Sequence, residues 1–190
     1  MEIVVGGIRG TYTIKGEKSA LLCPPHPLMG GSRFDIRLER ICEGLHKIGY
    51  STLRFDYKLP FRSGTGEVED TRIMLRYLKE RHDFVAVIGY SFGSVVASNV
   101  EDEADAVILI SPLKKINEIE LKDSKKPKLV IYGIYDELVG PEESREIAEK
   151  LSPPKEVVEL ETDHFYTGAL DILVEKIVEF LNDVEQNHKI

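Results

Sequence analysis

Three side chains in this 190-residue chain have the types and spacing for acyl-transfer chemistry: the hydroxyl of Ser91, the carboxylate of Asp136 and the imidazole of His164. A serine hydroxyl is a weak nucleophile at neutral pH and needs a base to take its proton, and histidine titrates in the right range. The base needs a carboxylate to hold it in the correct tautomer. In sequence the three are separated by 45 and 28 residues. The order Ser, Asp, His is that of a nucleophile on a strand-to-helix turn, followed by an acid and a base past later strands.

Ser91 lies in Gly89-Tyr90-Ser91-Phe92-Gly93, at the end of the apolar run Phe84 to Tyr90 and ahead of a short helical pattern. With 15 Gly and 11 Ser in the chain, a G-x-S-x-G arises by chance roughly 0.07 times, so its weight comes from the strand-then-helix context. A turn sharp enough to lift a side chain above a sheet leaves no room for Cβ atoms two positions either side, a space that Gly89 and Gly93 supply. Ser91 Oγ is then exposed at a helix N-terminus, with the Phe92 N–H directed at a developing oxyanion. The plainer alternative is that Ser91 only N-caps the helix.

Five histidines compete for the role of base. His46 falls inside a helical pattern, His82 precedes the strand leading to Ser91 and so lies at the wrong end of the sheet, and His188 is close to the chain end, where chains fray. His164 directly follows the last strand pattern, where a loop at the carboxyl edge of a sheet reaches the nucleophile. A solvated surface histidine is the alternative. Asp136 also follows a strand pattern, with Gly133 allowing the turn. Asp163 is its rival, although adjacent residues seldom bring their side chains together, and Glu137 is a weaker one.

The second oxyanion donor is expected from the turn after Ser19 to Cys23, which reads Pro24-Pro25-His26-Pro27-Leu28-Met29-Gly30-Gly31. Pro27 has no N–H, which leaves the Leu28 amide as first choice and Met29 as the alternative. His26 is expected to shape this turn by hydrogen bonding. His26, Tyr57 and Phe165 are expected to border the substrate, with Phe61, Phe92 and Tyr166 as further apolar walls; each aromatic is equally suited to ordinary packing.

Short β-rich runs alternating with stretches of helical period describe the scaffold. Strands are expected at 3–8, 11–15, 19–23, 51–56, 84–90, 106–111, 128–132 and 156–160, the first two as a hairpin turning at Arg9-Gly10. Helices are expected at 33–48, 68–81, 92–100, 142–151 and 170–184. Ser32 with Asp35 reads as a capping box, Pro141 suits a first helical turn and Gly49 a C-terminal stop. The sum is an α/β three-layer sandwich around a mostly parallel sheet of about eight strands. The polar, Lys-rich stretch Pro112 to Pro127 has no assignable element.

Taken together, the chain resembles the α/β-hydrolase superfamily, and within it the small dienelactone-hydrolase-like or KTN-type hydrolases. The resemblance runs from about Leu21 to Leu173. It rests on the turn His26 to Gly31, the strand end Leu53-Arg54-Phe55-Asp56, Gly64-x-Gly66-Glu67 with Asp70, the Gly89 to Gly93 elbow, Asp136-Glu137-Leu138-Val139 and Asp163-His164-Phe165-Tyr166-x-Gly168. It implies a Ser91, Asp136, His164 triad with Leu28 and Phe92 as backbone donors. The nucleophile is serine, not the cysteine of dienelactone hydrolases proper, so that specific activity is not implied. Larger members insert a helical lid after the strand that follows the elbow; the 16 residues of Pro112 to Pro127 leave room for a minimal lid or none. The expected site is therefore open and takes small acyl substrates.

Composition sets the outer limits. Against 33 Asp and Glu stand 25 Lys and Arg, a net charge of −8 and the wrong sign for a general nucleic-acid binder. Apolar runs fall short of the ~20 residues a bilayer span needs, and the N-terminus lacks a basic and then apolar leader pattern. No membrane partner is expected, and the setting is expected to be cytoplasmic. With 42% hydrophobic residues the chain is expected to form one domain over 1–190, burying roughly 70% of its unfolded surface without help from disulfides. Cys23 and Cys42 read as reduced core residues, and nothing in the pattern calls for a metal or a cofactor. The partner is a small-molecule acyl substrate; the oligomeric state has no sequence signal. The rival from another class is a non-catalytic binding or scaffold protein on the same fold. A nucleotide-binding reading fails because Gly6-Gly7-x-x-Gly10 and Gly64-x-Gly66 lack phosphate-loop spacing.

Overall fold

The structure is a computed structural model describing residues 1–188, with the side chain of His188 left aside. Its first strands, β1 (Glu2–Val5) and β2 (Ile8–Thr13), form an antiparallel hairpin. The turn is Gly6-Gly7, not Arg9-Gly10: both glycines have positive φ, the conformation a two-residue hairpin turn demands. Gly10 is inside β2 instead, where a Cβ would come within 2.9 Å of the Arg54 carbonyl.

The remaining strands are β3 (Lys18–Cys23), β4 (Tyr50–Phe55), β5 (Phe84–Tyr90), β6 (Ala106–Ile110), β7 (Lys115–Ile116), β8 (Ile119–Glu120), β9 (Lys128–Gly133) and β10 (Lys155–Leu160). Among the described residues eight strands form one sheet in the order β1-β2-β4-β3-β5-β6-β9-β10, with β2 antiparallel to both its neighbours and every later pair parallel.

Alternation along the strands sorts apolar residues onto two faces, since successive side chains point opposite ways. Leu21, Val87, Leu109 and Val130 pack beneath α2 (Thr65–Lys79), α3 (Phe92–Ser98) and α4 (Pro141–Lys150). Leu22, Ile88, Ile110 and Ile131 pack beneath α1 (Ile36–Lys47) and α5 (Leu170–His188). The result is the expected three-layer α/β-hydrolase architecture. None of the described helices is long and apolar enough to cross a membrane.

Helix ends follow local chemistry. Asp35, not Ser32, caps α1: its carboxylate accepts the Arg37 and Leu38 N–H groups, while Ser32 Oγ accepts only the Phe34 N–H one step earlier. Pro141 opens α4, and Gly49, at φ 84°, stops α1 by donating to His46 O. Helix α2 starts at Thr65, ahead of the expected Val68, because the buried Glu67 carboxylate accepts the Gly64 and Arg62 N–H groups. Helix α5 continues to His188, past the expected end at Val184.

The unassigned stretch 112–127 is no helical lid. It forms the hairpin β7–β8, whose tip residue Asn117 takes φ 53°, a conformation asparagine tolerates better than most side chains. The hairpin is fastened at several points. Glu118 N–H donates to Ser63 O at 3.0 Å, Asn99 Nδ2 to Glu120 O at 2.9 Å and Lys122 N–H to Ser98 Oγ at 3.0 Å.

Candidate active site

Strand β5 delivers Ser91 to the carboxyl edge of the sheet on a tight turn flanked by Gly89 and Gly93. Ser91 sits at φ 55°, ψ −119°, a sparsely populated conformation that costs about 1–3 kcal/mol and persists only where the surroundings enforce it. A Cβ on Gly89 would lie 2.0 Å from Gly93 O, and one on Gly93 would lie 2.2 Å from Cys23 O. The two glycines let the elbow fold back on itself and onto the end of β3. Ser91 makes no side-chain capping bond, which sets aside the plainer reading of it as an N-cap.

His164 comes from the loop after β10. Its Nδ1 lies 2.6 Å from Asp136 Oδ2 and its Nε2 lies 3.0 Å from Ser91 Oγ. A carboxylate only accepts, so Nδ1 carries the proton and Nε2 presents a lone pair to the serine O–H. Asp136 is 4% exposed, and its other oxygen accepts the Leu138 and Val139 N–H groups, both at 2.8 Å. The loop after β9 thus folds around the carboxylate and fixes its direction.

The rival acid has a different task. Asp163 accepts the Phe165 and Thr167 N–H groups and the Thr167 hydroxyl, which together hold its carboxyl below the usual range and brace the loop carrying His164. Tyr90 adds a second brace by donating its hydroxyl to His164 O at 2.7 Å. Among the other histidines, His46 pairs with Thr52 and His82 with Tyr12, away from Ser91.

An open cleft of about 300 Å³ lies over Ser91 and His164, with Met29, Leu138, Phe165 and Arg37 in its walls. His26 and Phe165 both border it, and Phe165, 53% exposed, stands edge-on to the His164 ring. Other expected walls are elsewhere. Tyr57 is buried behind the site, donating its hydroxyl to Pro24 O at 2.9 Å with its ring against Phe55 and Phe92. Tyr166 is fully buried, its hydroxyl donating to Ile131 O and accepting from Ser111. The Phe92 ring is in the core, and Phe61 packs on the His26 ring.

Sequence reasoning did not find Arg37, and it named Leu138 only as part of the Asp136-Glu137-Leu138-Val139 motif, not as a wall of the cleft. Arg37 is on the first turn of α1, its guanidinium paired with Asp35 and lying over the Tyr90 ring at 4.8 Å. The Asp35-x-Arg37 spacing was the available signal for Arg37, and the motif after Asp136 that for Leu138.

The two amides expected to serve as oxyanion donors are differently engaged. Phe92, the first residue of α3, has an N–H with no intrahelical acceptor. In the turn after β3, Leu28 N–H donates to His26 Nδ1 at 3.2 Å and Met29 N–H to His26 O at 3.0 Å. Cys23 and Cys42 are unpaired and buried, and burial raises both thiols, that of Cys42 to about 11. Among the described residues no group of three His, Cys, Asp or Glu could hold a metal.

Several solved structures share this fold. An α/β serine hydrolase homologue from Coxiella burnetii superposes with a TM-score of 0.84 at 25% identity, covering 94% of this chain and 95% of the other. A lidless α/β serine hydrolase from Xanthomonas campestris gives 0.85 at 21% identity, covering 96% and 94%. An esterase from Pyrococcus furiosus gives 0.81 at 20% identity, covering 96% and 91%. No curated protein matches. The sequence model of the dienelactone hydrolase family spans residues 58–170, which include the elbow, Asp136 and His164, and the chain belongs to that family of hydrolases.

Proposed function

We propose that this protein is a serine hydrolase cleaving a carboxylic ester or related acyl bond of a small molecule, with residues 1–190 acting as one catalytic domain. The observation that carries the reading is the unbroken run of contacts from Ser91 Oγ to His164 Nε2, and from His164 Nδ1 to Asp136 Oδ2, at the mouth of an open cleft. Ser91 attacks the acyl carbon while His164 takes its proton, and Asp136 stabilises the imidazolium that forms. His164 then passes the proton to the leaving group, and water hydrolyses the acyl-enzyme with the same base.

The tetrahedral oxyanion receives the Phe92 N–H and, as the carbonyl arrives, the Leu28 N–H. Phe165, Met29 and Leu138 form an apolar border for the substrate, and His26 closes the turn side. No step calls for a metal or a cofactor. A cleft of this size without a helical cover suits short acyl groups. The unpaired, buried cysteines support a cytoplasmic setting.

Short-chain p-nitrophenyl esters test the reading: turnover by the wild type that is lost in Ser91→Ala and in His164→Ala is the expected result. Turnover that survives Ser91→Ala contradicts it. A folded protein inert to the whole panel favours the alternative, a binding or scaffold protein that has kept the fold.

A further inference from the structure

The hairpin in the lid position ends at the oxyanion turn. Asn117 Oδ1, at its tip, is 3.0 Å from His26 Nε2, across 91 residues of sequence. The other ring nitrogen, Nδ1, accepts the Leu28 N–H at 3.2 Å. An amide N–H only donates, so Nδ1 must be unprotonated; the neutral ring then carries its proton on Nε2, which needs an acceptor. Asn117 supplies it. The ring itself is packed between Phe61 and Phe92, with centroid separations of 4.7 and 4.8 Å.

We propose that Asn117 is a positioning residue for the reaction: by holding His26 in the Nε2–H tautomer, it leaves a lone pair and not an N–H facing the Leu28 amide, which fixes the direction of that amide in the free protein until an incoming carbonyl oxygen takes over its N–H from Nδ1. This rests on the reading of Leu28 as an oxyanion donor. In place of a lid that covers substrate, the segment between β6 and β9 is a latch that acts on the catalytic backbone. Its anchoring fits that task. Glu118 bonds the backbone beside Gly64, and Ile119 packs so closely on Gly64 that a Cβ there would meet its Cγ1 at 2.8 Å. A mobile cover would have no use for such fixing, whereas a latch needs it.

The test separates the amide's role from the turn's. Asn117→Gly keeps the positive φ that the tip requires but removes the side chain. Nitrogen-correlated NMR of the histidine rings is expected to show His26 as a single Nε2–H tautomer in the wild type and as a mixture in Asn117→Gly. Ester turnover is expected to show kcat down about tenfold with KM nearly unchanged, a part of the loss caused by removing an oxyanion donor outright. Asn117→Asp, which returns an acceptor oxygen to Nε2, is expected to recover most of the rate. A tautomer that stays fixed in Asn117→Gly, or a kcat equal to wild type, overturns the proposal. Failure of the serine-hydrolase reading is seen separately, as turnover that persists in Ser91→Ala.

Discussion

Ser91 Oγ and His164 Nε2 stand 3.0 Å apart although 73 residues separate them in the chain. Two pieces of backbone geometry bring this about. The strained elbow lifts the serine off β5, and the loop after β10 returns the imidazole over it, braced by Asp163 and Tyr90.

The two neighbouring acids give opposite expectations. In Asp136→Asn the amide oxygen stays with the Leu138 and Val139 N–H groups, which turns the NH₂ toward His164 and forces the proton onto Nε2, where it blocks proton uptake from Ser91. Kinetics with a p-nitrophenyl ester should show kcat lower by about 10⁴-fold in a folded protein. Asp163→Asn should keep the chemical step and lower the melting temperature, through weaker bonds to Thr167.

Substitution at Gly93 tests the elbow. Gly93→Ala drives a Cβ into Cys23 O, and urea unfolding should show a loss of about 3 kcal/mol. Gly140→Ala is the matched control, with φ −58° and no heavy atom within 4 Å of the added Cβ; its stability should stay close to wild type.

The pH dependence of stability should carry the mark of Glu101, which is 1% exposed with neither carboxylate oxygen hydrogen-bonded to protein. Burial raises its pKa from 4.5 to about 7, against the opposing charge of Lys128. The folded state therefore binds more protons than the unfolded chain between these values, and stability falls as pH rises from 4.5 to about 7. Glu101→Gln should remove that fall. Thermal melts should find the variant more stable than wild type at pH 8, by about 1–3 kcal/mol, with the gap shrinking toward pH 4.5.

What could be read from the sequence was whatever has a local cause. The strand into Ser91, the two flanking glycines and the placing of Asp136 and His164 past strand ends all follow from short patterns, and the structure brings those three side chains together. The hairpin β7–β8 was not legible because two-residue strands have no period to detect. Tyr57 has the look of a wall in sequence, but its burial rests on long-range contacts that no local pattern announces: its hydroxyl donates to Pro24 O, 33 residues away, and the next residue, Lys58, donates its N–H to Asp70. The turn at Gly6-Gly7 was misplaced because three glycines lie within five residues and the strand register that selects between them is a long-range pairing with β4.

The central claim is that Ser91 is a nucleophile activated by His164, and labelling with a fluorophosphonate followed by peptide mass spectrometry tests it most directly. The account predicts a single adduct on Ser91 in the wild type, none in Ser91→Ala and a strongly slowed reaction in His164→Ala. An adduct that maps to another residue, or labelling of Ser91 at an unchanged rate without the imidazole, would contradict it.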